Sequence, residues 1–214
     1  RFTNYIPKDK CFDSTLCLLL EGYNFIPNRC RRLKSDVFVT RLMGRKVICM
    51  SGKNAASLFY DRMLFTRKGA IPRRIQKTLF GEKGIQTLYG PRHLNRKKLF
   101  AGFMTPDSIS RLAEIYRKEL QRRARRWLDA ERICLFDEAA LILCRAACRW
   151  AHVPLKRNEA WLRARDFSAM VDAFGAVGPR HWKGHCARKR AESRMEDIIR
   201  KVRSGRLAVP RNSI

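Results

Sequence analysis

The chain has 214 residues, 45% of them hydrophobic, enough to bury one good core or two small ones, and this composition argues against a disordered polymer. Its 47 Lys+Arg against 19 Asp+Glu give a net charge of +28, which predicts attraction to polyanions and a self-repulsion that works against compactness. The longest apolar runs, Leu16–Leu20 and Ala139–Cys144, fall far short of the ~18 residues that cross a bilayer, so no membrane-spanning helix is expected.

Residues 1–13, with Pro7 and mixed charge, are expected as a loose lead-in. Ser14-Thr15 is placed to cap a short helix ending near Gly22. Val37–Met43 and Lys46–Met50 are β-rich runs around Gly44-Arg45, and Gly followed by another residue predicts a hairpin with a two-residue type II′ turn. Ser51 then caps a helix to about Tyr60. Phe65–Ala70 reads as a basic loop, and Pro72 fits the first turn of a helix reaching Phe80. A helix is expected from Gly90-Pro91. Thr105-Pro106 forms cap plus first-turn proline for a long amphipathic helix, in which Ile109, Leu112, Ala113, Tyr116, Leu120, Ala124 and Trp127 recur every three or four residues. The segment from about Phe136 to Ala151 is apolar on several faces and therefore central. Asn158 can cap the next helix, with Trp161, Ala164, Phe167, Val171 and Phe174 facing inward. A last helix runs from Trp182 to Val202. No internal repeat and no low-complexity linker interrupts this mainly helical array.

Several chemical signatures fail on inspection. Gly52-Lys53 after a strand invites a phosphate-loop reading, but that motif needs glycine where Val47 stands. His181 and His185 are four apart, yet the zincin pattern needs Glu where Trp182 stands, and no third ligand is near. Cys144 and Cys148 also lie one helical turn apart; core packing explains them better than a metal, since no second pair sits at zinc-site spacing. The eight cysteines (Cys11, Cys17, Cys30, Cys49, Cys134, Cys144, Cys148, Cys186) do not form a disulfide scaffold in a chain this long and helical, and no secretory leader precedes residue 10. A reducing, cytoplasmic setting is expected. No Ser/His/Asp arrangement is legible. The basic residues are spread along the chain without interleaved aromatics, and no zinc finger or RRM signature is present, so polyanion binding would be adventitious.

The stretch TLFGEKGIQTLYGPRHLNRKKLFAGF (Thr78–Phe103) organises what remains. His93 and Lys97, four apart, share one helical face beside the apolar Leu99, Phe100 and Phe103. Two donors next to an apolar wall suit a ligand with carboxylates at one edge and a greasy body, such as haem; the same pattern also describes a solvated basic helix with an incidental histidine.

The segments IPKDKCFDSTLCLLLEGYNFIPNR (Ile6–Arg29), FTRKGAIPRRIQKTLFG (Phe65–Gly81), CRAACRWAHVPL (Cys144–Leu155) and MVDAFGAVGPRHWKG (Met170–Gly184) resemble, in order and spacing, the N-terminal half of bacterial fatty-acid peroxygenases, the hydrogen-peroxide-using branch of the cytochrome P-450 superfamily. The resemblance runs from about Ile6 to Leu207. It implies the N-terminal half of the P-450 fold: mainly α, with one small hairpin. It further implies haem as cofactor, long-chain fatty acid and hydrogen peroxide as substrates, α/β-hydroxylation or decarboxylation as chemistry, and no redox partner. By the same resemblance Arg67, His93 and Lys97 contact the haem propionates, Phe80 and Gln86 form the distal wall, and Val171 and Phe174 line the fatty-acid channel. The Arg that anchors the substrate carboxylate and the haem-ligating Cys belong to the family's other half, and none of the eight cysteines stands in that ligand's sequence context. The resemblance therefore implies one incomplete domain over residues 1–214, a fragment inactive by itself. The rival reading is a non-catalytic basic helical protein that binds polyanions such as nucleic acid, with Arg122, Arg123, Arg125 and Arg126 crowding one helix and Arg188, Lys189 and Arg190 another.

Overall fold

Two compact units divide the chain, Arg1–Thr66 and Arg67–Ile214. The computed structural model describes residues 6–208 and 210, apart from 62, 67, 71, 72 and 83.

In the first unit, helix α1 (Thr15–Glu21) runs through a 3-10 turn, Gly22–Asn24, into α2 (Phe25–Leu33). A hairpin follows, β1 (Val37–Leu42) with β2 (Arg45–Met50), and then α3 (Lys53–Phe59). Alternation along the strands sends Phe38 and Cys49, which are paired in register, into a core closed by Phe25. The hairpin is the expected one, but its turn is shifted by one residue. Leu42 pairs with Arg45, so the loop is Met43-Gly44, and both residues have positive φ (51° and 72°), the type I′ pattern instead of II′. Side chains from the α1 entry hold this turn: Asp13 Oδ2 accepts from Gly44 N at 2.7 Å, and Thr15 Oγ1 accepts from Met43 N at 2.6 Å.

The supposedly loose lead-in is pinned from Pro7 onward. Val39 N donates to Pro7 O and Asp9 N to Val39 O, a parallel bridge on the edge of β1. The buried carboxylate of Asp9 then receives Arg29 Nε at 2.6 Å and Arg32 Nη2 at 2.5 Å. Ser14 makes no cap to α1; its hydroxyl donates to Asp9 and accepts from Thr40, which satisfies a buried polar pair. Nor does Ser51 cap α3, whose N-cap is Gly52.

In the second unit a short α4 (Arg73–Gln76) and a 3-10 turn, Ile85–Thr87, lead to α5 (Gly90–Phe103). The helix expected to reach Phe80 stops at Gln76, and residues 77–80 form turns because Gly81 N closes back onto Gln76 O. Four longer helices complete the unit: α6 (Pro106–Trp127), α7 (Leu135–Trp150), α8 (Ala160–Asp172) and α9 (Pro179–Arg203). Thr105 caps α6 as expected, its Oγ1 accepting from Ser108 N. Sequential neighbours pack in antiparallel pairs, α6 on α7, α7 on α8, α8 on α9.

Small side chains make up much of this unit's core, beside Leu141, Ile142 and Met170. Ala160, Ala164 and Cys144 surround Leu141, while Ala173 and Ala187 are buried between α8 and α9. The inward face expected for α8 is therefore only partly right. Ala164 is buried, but Trp161, Phe167, Val171 and Phe174 are exposed, because helices touching through alanines approach too closely to seat rings between them. In α6 the expected apolar face is at best half-buried and Ile109 is exposed; the buried residue of that helix is Glu119.

Arginine–carboxylate pairs carry the helix-to-helix specificity that small side chains cannot. Glu138 of α7 receives the Arg123 guanidinium and Trp127 Nε1 (2.9 Å) from α6. The Arg123 hydrogen bond, outweighing burial and aided by Trp127, holds the Glu138 carboxyl below its ordinary value of 4.5. A depressed carboxylate contributes stability that is complete above the unfolded pKa and lost as pH falls through the native one. Glu138→Gln is thus expected to lower stability at pH 7 and to draw level with the parent once the pH has fallen below the native pKa of Glu138, as read by urea unfolding. A stability difference that persists at acid pH would disprove this.

Candidate functional site

The loop after α4 and the start of α8's exit meet although ninety-odd residues separate them. Phe80 and Phe174 pack edge to face with ring centroids 5.3 Å apart. Val171 lies one turn back on the same α8 face, 62% exposed, with Phe174 itself 46% exposed. These three apolar side chains form an open wall.

Gln86 is drawn to that wall by backbone geometry. It sits half-buried in the 3-10 turn, whose start Thr87 seals by donating from N and Oγ1 to Gly84 O at 3.0 and 2.7 Å. A Cβ on Gly84 would overlap the Phe80 carbonyl oxygen and lie 3.1 Å from Gln86 Oε1, so only glycine lets the Gln86 amide and the Phe80 backbone close on each other. The same 3-10 turn contacts α5. There His93 is half-buried and Lys97, one turn on, is exposed beside the exposed Leu94 and Phe100. The structure thus brings together Phe80, Gln86 and Phe174, with Val171 adjoining, and sets His93 and Lys97 on the neighbouring helix. Arg67 lies outside the described residues.

One residue that sequence reasoning assigned to a basic surface cluster belongs to this site's support. Arg188 of α9 donates from Nη1 to Leu79 O at 2.8 Å and from Nε to Glu192 at 2.7 Å. It backs the buried Gly81, whose φ is +74° and whose missing Cβ leaves room for Arg188 Nη2 at 2.6 Å. No sequence signal points to this role, since the partners are a backbone carbonyl and a glycine 109 residues from Arg188 along the chain in the first case. Gly81→Ala would strain the backbone and displace the guanidinium together. Loss of about 2 kcal/mol is expected in urea unfolding, with Phe80 freed from Phe174; an unchanged midpoint would refute the role.

No family model matches the chain. Solved structures do. Cytochrome P450EX alpha with myristic acid superposes at a TM-score of 0.92 and 37% identity, over 99% of this chain and 51% of that one. Cytochrome P450SP alpha in complex with (R)-ibuprophen gives 0.89 and 39%, over 94% and 49%. The chain belongs to the CYP152 fatty-acid peroxygenase branch of the cytochromes P450. A variant of cytochrome P450 OleT with arachidonic acid agrees at 0.94 and 29%, over 98% and 51%. The chain spans about half the length of each of these CYP152 relatives and matches their N-terminal half. Its helical fold, with one hairpin among the described residues, is accordingly half of the P450 fold. Among the described residues no helix is long and apolar enough to cross a membrane.

Proposed function

We propose that this chain supplies the substrate wall and the haem-edge cations of a hydrogen-peroxide-dependent peroxygenase acting on long-chain fatty acids without a redox partner. The meeting of Phe80 and Phe174 beside the Gln86 turn carries this reading, in a chain 37% identical to a relative solved with myristic acid. Phe80, Val171 and Phe174 bury the alkyl chain, each CH₂ removed from water contributing about 0.8 kcal/mol. Gln86 presents an amide, donor and acceptor, at the reacting end of that wall.

Haem is the implied cofactor, and the donor set on α5 fits its edge. An imidazole and an ammonium on adjoining turns suit two propionates through charge-assisted hydrogen bonds, and Leu94 and Phe100 offer apolar surface on the same helix. Arg67 is a third propionate contact in this reading. Bound haem with a thiolate ligand supplies the peroxide chemistry, the thiolate's push favouring O–O cleavage. That thiolate and the Arg for the substrate carboxylate come from the other half of the fold, so residues 1–214 form one incomplete domain, inactive alone. The eight free thiols fit the reducing cytoplasm.

The test pairs the purified chain with the complementary half of cytochrome P450SP alpha, haem, myristic acid and hydrogen peroxide. Oxidised myristate is expected from the pair and none from the chain with haem alone. Turnover by the unaided chain, or a pair that takes up no haem, would sink the proposal.

The polyanion reading loses ground on the arginines that motivated it. Arg122 pairs with Glu119, Arg123 with Glu138, Arg188 with Glu192 and Arg190 with Asp166. Arg125, Arg126 and Lys189 remain exposed on two different helices, too few to make a built phosphate track. DNA binding is expected to be weak, with a log–log salt slope shallower than about −3; a slope of −6 or steeper would restore the rival.

A further inference from the structure

Arg145 and Arg149 lie one helical turn apart on α7, and both reach across to the buried Glu119 of α6. Arg145 Nε donates to Oε2 at 3.0 Å and Arg149 Nη1 to Oε1 at 2.8 Å; Arg122 Nη1 also reaches Oε1, at 3.0 Å. Both carboxylate oxygens are therefore engaged. Among the described residues, the two Nη atoms of Arg145 and the Nη2 of Arg149 make no hydrogen bond. The exit from α7 brings further cations beside them. His152, at φ +53°, closes a Schellman turn in which His152 N donates to Arg149 O and Val153 N to Cys148 O. The chain so reversed lays Leu155 against the buried cluster of α7 and α8, and Lys156 and Arg157 follow it. The result is a cavity of about 170 Å³ lined by Arg145, Arg149, Lys156 and Arg157 against the single carboxylate of Glu119. Four cations against one carboxylate leave a surplus of three positive charges. Glu159, the nearest carboxylate along the chain to Lys156 and Arg157, is already held by Arg194 at 2.5 Å.

We propose that this cavity binds a phosphate group, free or at the end of a small ester, between the guanidinium groups of α7 and the two cations that follow its C-terminal turn. Arginine forks present paired N–H donors that match two oxygens of a phosphate, and Lys156 adds a compact point charge. Glu119 is a positioning residue: it fixes Arg145 and Arg149 before any anion arrives, so little rotamer freedom is lost on binding. Its own charge does not repel the ligand strongly, because three guanidinium groups already surround it.

Size and charge both select the ligand. A water molecule's share of the liquid is about 30 Å³, so the cavity holds a tetrahedral oxyanion with a few waters. Pockets that enclose larger organic ligands start at about 300 Å³. The surplus of three charges favours a dianion over a monocarboxylate, which would leave most of it uncompensated. This is a site for one phosphate and not a track for many, so it agrees with the weak DNA binding expected above.

The experiment needs neither haem nor the complementary half, so its outcome is separate from that of the peroxygenase proposal. Inorganic phosphate and glycerol 3-phosphate are titrated into the full chain by calorimetry at about pH 7.5, where a phosphate ester with its second pKa near 6 is a dianion. Ionic strength is held constant with sodium chloride. One saturable site with a Kd of about 1 mM or tighter is expected for at least one of the two, with acetate failing to compete. Tighter binding of glycerol 3-phosphate assigns the site to an ester, tighter binding of inorganic phosphate to the free ion. Lys156→Ala/Arg157→Ala changes two exposed residues outside the Glu119 clamp and is expected to weaken binding about tenfold or more, the scale of one lost charge-assisted hydrogen bond. Arg45→Ala/Lys46→Ala removes the same two charges from exposed positions on the hairpin and should change affinity less than about twofold. No saturation of the parent by about 10 mM of either ligand, equal competition from acetate, or equal weakening by the two double variants would overturn the site.

Discussion

Glu119→Ala is expected to cost the chain about 3–5 kcal/mol of stability, the range for breaking a buried ion pair from one side. The carboxylate is only 2% exposed and accepts from three guanidinium groups: Arg122 at 3.0 Å, Arg145 at 3.0 Å and Arg149 at 2.8 Å. Arg122 belongs to its own helix, but Arg145 and Arg149 reach across from α7, so this one side chain clamps α6 to α7. Removing it leaves three cations converging on a pocket with no counter-charge, in a protein already at +28. Arg149 and Arg122 are half-exposed and can turn to water, which keeps the expected loss near the lower end of the range. Glu119→Gln, which keeps the shape and one acceptor, should lose roughly half as much. Urea unfolding measures both. An alanine variant within 1 kcal/mol of the parent would show that the arginines find other partners without penalty.

That clamp also explains what sequence reading reached and where it stopped. The long helices were legible because local signals mark their ends, as at Thr105-Pro106, and because apolar residues recur at helical spacing. The hairpin was legible from its β-rich runs, though not its turn, since Met43 was not an evident candidate for positive φ. Helix α2 went unmarked because FIPNRCRRL carries a proline near its start and charges near its end; its apolar side is completed only by Arg29, whose guanidinium stacks 3.7 Å from the Phe25 ring centroid. The core of the second unit was misplaced for a related reason. Hydrophobic periodicity weights Trp161, Phe167 and Phe174, whereas the buried contacts run through Ala160, Ala164 and Ala173. At the site, Phe80 and Gln86 were named from family resemblance. The residues that hold them, Gly81, Gly84 and Arg188, act through backbone approach and a carbonyl hydrogen bond, which leave no pattern in the sequence.

Gly184→Val is expected to destabilise the chain by about 3 kcal/mol and to open the wall described above. Gly184 lies inside α9, where glycine costs about 1 kcal/mol relative to alanine, so any side chain there should gain helix propensity. Packing decides the sign. A Cβ at this position would overlap Ala173 Cβ and lie 2.9 Å from Ala169 O, both on the facing helix segment, and neither atom belongs to a flexible side chain that can swing away. The helices must separate, and the buried Ala173 and Ala187 lose their contacts as they do. Phe174 follows Ala173 directly, so the displacement moves its ring away from Phe80 as well. Gly184→Ala should show the same effect in reduced form, the propensity gain offsetting part of the overlap. Urea midpoints measure the loss. The wall is read separately, in the paired reconstitution, where Gly184→Ala should raise the myristate concentration needed for half-maximal turnover. If Gly184→Ala proved more stable than the parent, the close α8–α9 approach would not be what holds Phe174 against Phe80.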